Sequence, residues 1–435
     1  MPAGRKSWFS TSVSSETPER SSCEVTIIEH VPGKKCKPCT KRGMEIRSET
    51  LQNGPTMQIQ RITPHIIGAE RNFLFVVIET DSGLVGVGEG GLTWRESATA
   101  GFIEAVTPLL LGADPFRTEH LWQVMFRSGF FPAGRVGAAA ISALDLALWD
   151  IKAQALQVPL YQLLGGLCRN EVPCYPHARG QTTPELVEHA RRLVGEGYRF
   201  IRTEIRGGRD GSIFDPRPAL RLAIEDLAAL RSALGPDIEL LVDVHTRLDP
   251  ADALLFCNLA EEYQPYFIED PLRCENPDSY RRLSARTTVP LAVGEQYSSK
   301  WEFRPLIENE WCDFARIDVC LAGGITETVK IAGWCETHGL KLALHNPLGP
   351  VSTAACLHID LASSCFGVQE LPRVPGTYLQ DLFPVQVPYQ RGHLQPPTRN
   401  GLGVVIDESR VKAYPPIPEG RCPIWRRADG SFTNW

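Results

Sequence analysis

The sequence predicts an α/β protein in which an α+β unit precedes a modified, parallel (β/α) barrel. Three observations predict it: short apolar runs recur between residues 172 and 368, a helical pattern separates each from the next, and charged residues stand where several runs end. The 435 residues leave room for two or more domains. An apolar share of 43% can fill their cores, and a charged share of 22% is ordinary for a soluble protein. A net charge of −6 gives no reason to expect a nucleic acid as partner. Nor does any uncharged apolar run reach the roughly 18 residues of a membrane helix. The 13 cysteines are odd in number and lack a framework spacing, which predicts free thiols in a reducing compartment such as the cytoplasm.

Residues 1–56, rich in Ser, Thr, Lys, Arg and Glu, read as a disordered extension. Arg5, Lys6 and nearby serines suggest a transit peptide; Glu16 and Glu19 argue against one, and a true start near Met57 is equally compatible. Cys36 and Cys39, with Cys23 and His30, have zinc or redox spacing, but a lone CxxC in a basic tail is more often neither. Residues 57–170 read as the α+β unit. Phe73–Thr80 and Leu84–Glu89 are strand-like and flank Asp81-Ser-Gly83, a hairpin turn. Ile141, Leu144, Leu148 and Ile151 then mark one apolar helix face.

Residues 171–385 read as the barrel. Its strand candidates are Val172–Tyr175, Phe200–Ile205, Ile238–Val244, Tyr266–Ile268, Leu291–Val293, Phe314–Val319, Lys341–Leu344 and Phe366–Val368. One intervening helix opens Thr183-Pro-Glu185, a capping Thr before Pro at the first helical position. Residues 386–435, containing Gly401–Asp407, are expected to fold back onto the N-terminal unit.

Asp243, Glu269 and Glu295 each end a strand candidate, at equal gaps of 26 residues. One gap is about the length of a strand, a helix and two loops, so the three carboxylates fall on successive strands at the C-terminal face. Carboxylates that close repel one another unless a hard cation neutralises them, and Mg²⁺ suits an all-oxygen set. His245 follows Asp243 by two residues and faces the same way if the strand continues. His345 ends the seventh strand. Asp318, one βα unit earlier, can accept its ring N–H and raise its basicity. Glu370 ends the eighth strand. His120, His189, His338 and His358 fall within helical patterns and read as structural. A carboxylate substrate on Mg²⁺ becomes acidic at its α-carbon, because the resulting ene-diolate is held by the metal. Two imidazoles then allow one base and one acid.

At these residues the chain resembles the mandelate racemase/muconate lactonizing enzyme group of the enolase superfamily, and within it most the galactonate dehydratases. The resemblance spans Met57 to Trp435 and rests on Leu121–Arg127, Ala147–Lys152, Tyr161–Gly166, Ala322–Thr326, His345–Pro350, Ala354–Asp360 and Gly401–Trp435. It implies a capping α+β domain over a modified TIM barrel, a sugar-acid substrate, and homo-oligomers. It implies Mg²⁺ on Asp243, Glu269 and Glu295, His345 paired with Asp318 as the base at C2, and His245 as the acid at the C3 hydroxyl. Glu370 would hydrogen-bond the substrate carboxylate or ene-diolate, and the product would be a 2-keto-3-deoxy sugar acid.

The sequence departs from the galactonate enzymes in several places. Arg202 and Glu204 replace Lys and Asn, Asp270 a Glu, Gln296 an Arg, and Leu321 a His. Racemases carry a catalytic Lys where Glu204 stands. Tyr175–Gly180 resembles mannonate and gluconate dehydratases instead, making His177 and Arg179, with Glu204 and Arg247, candidate substrate contacts. The rival expectations are a gluconate- or mannonate-type dehydratase, a sugar-acid epimerase, and a barrel that binds a sugar acid without turnover.

Overall fold

The computed structural model describes residues 57–207, 213–418 and 425–433; the extension and its Cys36/Cys39 pair lie outside them. The first unit is an antiparallel meander of β1 (Ile59–Gly68), β2 (Asn72–Thr80) and β3 (Val85–Gly90). Gly83, at φ +80°, makes the expected turn between β2 and β3. Sequence reading gave no strand at β1, whose Gln60, Arg61 and Pro64 obscure the alternation; as an edge strand it tolerates that Pro.

Helices α1 (Glu96–Leu110), α2 (Thr118–Arg127) and α3 (Gly134–Ala155) follow. The backbone of α3 lies directly on β3. A Cβ on Gly86 or Gly88 would meet the carbonyl oxygens of Ala147 or Ala143, so this packing needs glycine at both positions. Ala140, Ala143, Leu144, Ala147 and Ile151 of α3 complete a core with Leu74, Val76 and Ile78 of β2.

The barrel strands are β4 (Val172–Tyr175), β5 (Phe200–Glu204), β6 (Glu239–Asp243), β7 (Phe267–Glu269), β8 (Leu291–Val293), β9 (Phe314–Ala315), β10 (Lys341–Leu342) and β11 (Gln369–Glu370). The strands β5 to β10 form one parallel ladder, and β11 pairs in parallel with β4. Parallel bridges His177–Arg202 and Leu342–Phe366 join the two sheets and close the ring. Seven helices fill the crossovers: α4 (Thr183–Gly195), α5 (Pro216–Leu234), α6 (Pro250–Ala260), α7 (Asp278–Ser284), α8 (Lys300–Glu308), α9 (Gly324–Thr337) and α10 (Pro350–Ala362).

Several element bounds differ from expectation: β9 and β10 end at Ala315 and Leu342, short of Val319 and Leu344. The apolar run Phe366–Val368 precedes its ladder, which forms at Gln369–Glu370 instead. The cap of α4 is Thr182, one residue earlier than expected, in a reciprocal box with Glu185.

Beyond β11, β12 (Tyr389–Gln390) and β13 (His393–Leu394) form a hairpin, and β13 pairs antiparallel with β4. The chain then runs along the first unit. Leu402 N–H donates to Asp150 Oδ1 at 2.8 Å, Val87 N–H to Asp150 Oδ2 at 3.1 Å, and Gly68 N–H to the Tyr414 carbonyl at 3.2 Å. Asp150 is buried, so Asp150→Ala leaves two buried N–H groups without acceptors. The expected cost is on the order of 3 kcal/mol, measured as a lower urea midpoint at unchanged m-value.

Among the described residues the nine cysteines form no disulfide. No helix of the described residues is long and apolar enough to cross a membrane.

Candidate active site

Alternation along the barrel strands builds the site. A ring of inward side chains, Tyr175, Leu241, Phe267, Ala292, Phe314, Ala343 and Val368, packs with Phe200 to plug the barrel. Side chains on one face of a strand recur every two residues. Two residues beyond this plug stand His177, Asp243, Glu269, Arg316, His345, Glu370 and Arg202, so the apolar layer carries a charged one. Only the β8 position breaks step: Gly294 stands there at φ +139°, and Glu295 follows it. A Cβ on Gly294 would also meet the Phe303 ring. Gly294→Ala should therefore re-aim Glu295 and cut any metal affinity about tenfold or more; calorimetric Mg²⁺ titration of folded variant measures this.

The geometry brings most of the expected residues together. His345 Nδ1 and Asp318 Oδ2 are 2.9 Å apart, and His345 Nε2 lies 3.5 Å from Glu295 Oε2. The strand at His245 does not continue as expected. It ends at Asp243, and both His245 and Thr246 adopt φ +57°. The turn nonetheless places His245 3.8 Å from both Asp243 Oδ2 and Glu295 Oε1. His177 Nε2 lies 2.8 Å from Glu370 Oε1. Glu204 is half-exposed and 3.8 Å from Arg247, whose guanidinium stacks 4.6 Å over Trp425 and is not part of the cavity lining. Arg179 is exposed at the cavity wall.

Of the expected metal triad, Glu269 and Glu295 converge, joined by Asp270: one carboxylate oxygen of each lies within 4.8 Å of the others. Asp243 pairs in register with Glu269, but Arg202 forms an ion pair with its Oδ2 while its Oδ1 accepts the His245 N–H at 2.8 Å. Glu269 Oε2 is buried with no hydrogen-bond partner among the described residues. An orphaned carboxylate oxygen among other carboxylates suits a hard cation, so the donor set fits one.

Electrostatics point the same way. Burial pushes Asp270 and Glu295 above the usual carboxylate range; neighbouring carboxylates add to it, while His345 opposes it at Glu295 and Arg316 at both. Burial opposes protonation of His345, but Glu295 and Asp318 outweigh it and raise the imidazole to about 9. A cation sharing the Glu295 charge would weaken that attraction. Burial, with Arg247 and Arg202 nearby, holds His245 well below its ordinary value; burial and Arg202 lower His177 to about 4.

Arg316 was missed. Fully buried, it donates through Nη2 to Glu269 Oε1 at 2.6 Å and Glu370 Oε2 at 2.7 Å. Its signal was readable: in Phe314-Ala-Arg-Ile-Asp318 it shares the inward face with Asp318. Burial favours a neutral Glu370, yet Arg316 and the His177 hydrogen bond hold it well below its usual value. The Asn346 N–H also donates to Glu370 Oε2, at 2.8 Å. Arg316→Met would strand two buried carboxylates and should destabilise the fold by about 3–5 kcal/mol, read by denaturant titration.

His177, Asp243, His245, Glu295, Asp318, His345 and Glu370 line a cavity of about 1020 Å³ roofed by Arg71, Trp94 and Arg135 from the first unit. From the same unit, Glu89 accepts the Gly349 and Ser352 N–H groups at 2.7 and 2.8 Å at the start of α10. The roof is thus tied to the loop that follows His345.

Comparison with known proteins fits this architecture. Residues 185–410 match the enolase C-terminal domain-like family, and residues 49–165 match the mandelate racemase/muconate lactonizing enzyme N-terminal domain. D-galactonate dehydratases of Ralstonia pickettii and Ralstonia nicotianae are 35% and 36% identical over 386 residues, covering 87% of this chain and 100% of each relative. The crystal structure of an enolase from Pantoea ananatis with bound D-gluconate and Mg superimposes with a TM-score of 0.82 at 31% identity, covering 87% of this chain and 100% of that one. By sequence and by fold, the chain belongs to the mandelate racemase/muconate lactonizing enzyme group of the enolase superfamily.

Proposed function

We propose that the chain is a Mg²⁺-dependent sugar-acid dehydratase, a hydro-lyase that takes the C2 proton, expels the C3 hydroxyl and yields a 2-keto-3-deoxy sugar acid. The observation that carries this reading is the His345–Asp318 pair set beside Glu295, which belongs to a carboxylate cluster with Glu269 and Asp270 and lines the same cavity as His345. The relatives' names add support, because the galactonate enzymes are matched along their whole length. They put galactonate-like aldonates first among substrates, ahead of gluconate- or mannonate-type acids.

Glu269, Glu295 and Asp243 would hold the cation. Bound there, Mg²⁺ supplies charge neutralisation at the substrate carboxylate, which lowers the cost of removing the neighbouring proton. Because Arg202 pairs with Asp243, Asp270 is the alternative third donor. Mg²⁺ titration separates them: Asp243→Asn should weaken binding more than Asp270→Asn, and the reverse order reassigns the ligand.

His345 is the base. Asp318 fixes its Nδ1 and leaves Nε2 toward the cavity. His245 is the acid for the leaving hydroxyl. Burial, with Arg247 and Arg202 nearby, favours its neutral form, and the negative charge of a bound sugar acid favours its protonation. His245→Gln should therefore retain exchange of the C2 proton while losing at least about tenfold in 2-keto acid formation. Glu370 takes a different part from the one the resemblance implied. Ionised and already accepting from His177, Arg316 and Asn346, it has no proton to give an oxyanion; it positions His177 and Arg316. Epimerisation is disfavoured because the racemases' Lys position holds Glu204, half-exposed and beside Arg247.

The test is a panel of hexonic and pentonic acids assayed for 2-keto acid, with Mg²⁺ and with EDTA. Formation that EDTA abolishes supports the reading; a loaded protein inert toward every acid removes it.

A further inference from the structure

The end of β3 reaches the His345–Asp318 pair from the first unit at two points. Glu89, fully buried, accepts the Gly349 and Ser352 N–H groups at 2.7 and 2.8 Å, one on each carboxylate oxygen. Two residues on, the Gly91 N–H donates to the Cys320 carbonyl at 2.8 Å, and a Cβ on Gly91 would crowd that oxygen. Gly349 lies four residues after His345, and Cys320 two residues after Asp318.

Helix α10 needs the first of these contacts. Its N-cap, Gly349, offers no side-chain acceptor to the unpaired amides of the first turn. A carboxylate from the first unit takes that place, where the helix dipole favours negative charge. Burial raises the Glu89 carboxyl to about 7, while the two amides, Arg71 and Arg373 favour its ionised form.

From α10 the hydrogen bonds run back to His345. The Ser352 hydroxyl donates to Asn346 Oδ1 at 2.8 Å. The Asn346 N–H donates to Glu370 Oε2 at 2.8 Å, and its Nδ2 to the Glu370 carbonyl at 3.0 Å. Asn346 is fixed on both sides, and His345 precedes it in the chain. On the other strand, the Cys320 N–H donates to Asp318 Oδ1 at 2.8 Å, leaving Oδ2 for His345 Nδ1 at 2.9 Å. Each half of the pair is thus followed by a turn that the end of β3 holds.

We infer that Glu89 is a positioning residue for the base, setting His345 against Asp318 through the start of α10, with Gly91 steadying the Asp318 turn. This rests on His345 being the base, as proposed above, and brings a residue of the first unit into the reaction.

The experiment compares the wild-type full chain with two variants, using the panel of acids above. Glu89→Gln keeps one acceptor and turns the other atom into a donor that meets an N–H. Gly349→Ala adds a Cβ that would displace Glu89 Oε1. In the folded variants, kcat and exchange of the C2 proton should fall about tenfold or more. KM and Mg²⁺ affinity should stay within about twofold of wild type. Glu89→Ala combined with Gly349→Asp returns a carboxylate to the start of α10 and should recover part of kcat. Without substrate, backbone amide exchange in Glu89→Gln should quicken at residues 346–353. The inference is overturned by unchanged kcat and C2 exchange, by KM rising in step with the loss of kcat, or by wild-type amide protection at 346–353. A wild-type chain inert toward every acid removes the dehydratase reading; quickened amide exchange at 346–353 then still upholds the hold of Glu89 on α10.

Discussion

His345→Asn should abolish exchange of the substrate's C2 proton with solvent and lower turnover by about 10³-fold or more. Asn keeps a side chain able to bond Asp318 but cannot take up a proton, so the loss isolates the basic step from packing. The geometry makes this the largest single effect. Asp318 holds Nδ1 at 2.9 Å, and Nε2 lies on the side of Glu295, where the reacting carbon would sit. Mg²⁺ affinity should stay near the wild-type value, since His345 is no ligand in this account. Proton exchange at the wild-type rate would remove His345 from its role.

Glu269→Gln should lose both the cation and turnover. Glu269 Oε1 is held by Arg316 through two donors, at 2.9 and 2.6 Å, while Oε2 is left for the metal. The amide removes a negative charge from the donor set and offers Arg316 a weaker acceptor. Mg²⁺ affinity should fall by about 100-fold and turnover by at least as much. Because Glu370 still pairs with Arg316, the variant should fold, which circular dichroism checks. An unchanged Mg²⁺ titration would contradict the ligand assignment.

Much of the architecture was readable because it follows from period and spacing. Equal gaps of 26 residues put Asp243, Glu269 and Glu295 on successive strands, and ladder register then sets Asp243 beside Glu269. The pairing of Asp318 with His345 was legible for the same reason: neighbouring strands in a parallel sheet align their ends. What resisted reading depends on the reach of long side chains and on irregular backbone. Nothing in the order of residues says that Arg202 crosses from β5 to pair with Asp243, or that Asp270 comes within coordinating distance of Glu269 and Glu295. Gly294 and the left-handed pair at His245 and Thr246 aim side chains by local turns rather than by strand alternation. Arg316 alone is legible from alternation, since it stands two residues before Asp318 and shares its face.

The most direct test of the central claim is an NMR time course of a sugar acid turned over in D₂O, with Mg²⁺ and with EDTA. The account predicts a 2-keto-3-deoxy acid carrying deuterium at C3, where the enol product takes up a solvent proton, formed with Mg²⁺ and absent with EDTA. The same product at the same rate in EDTA would contradict it.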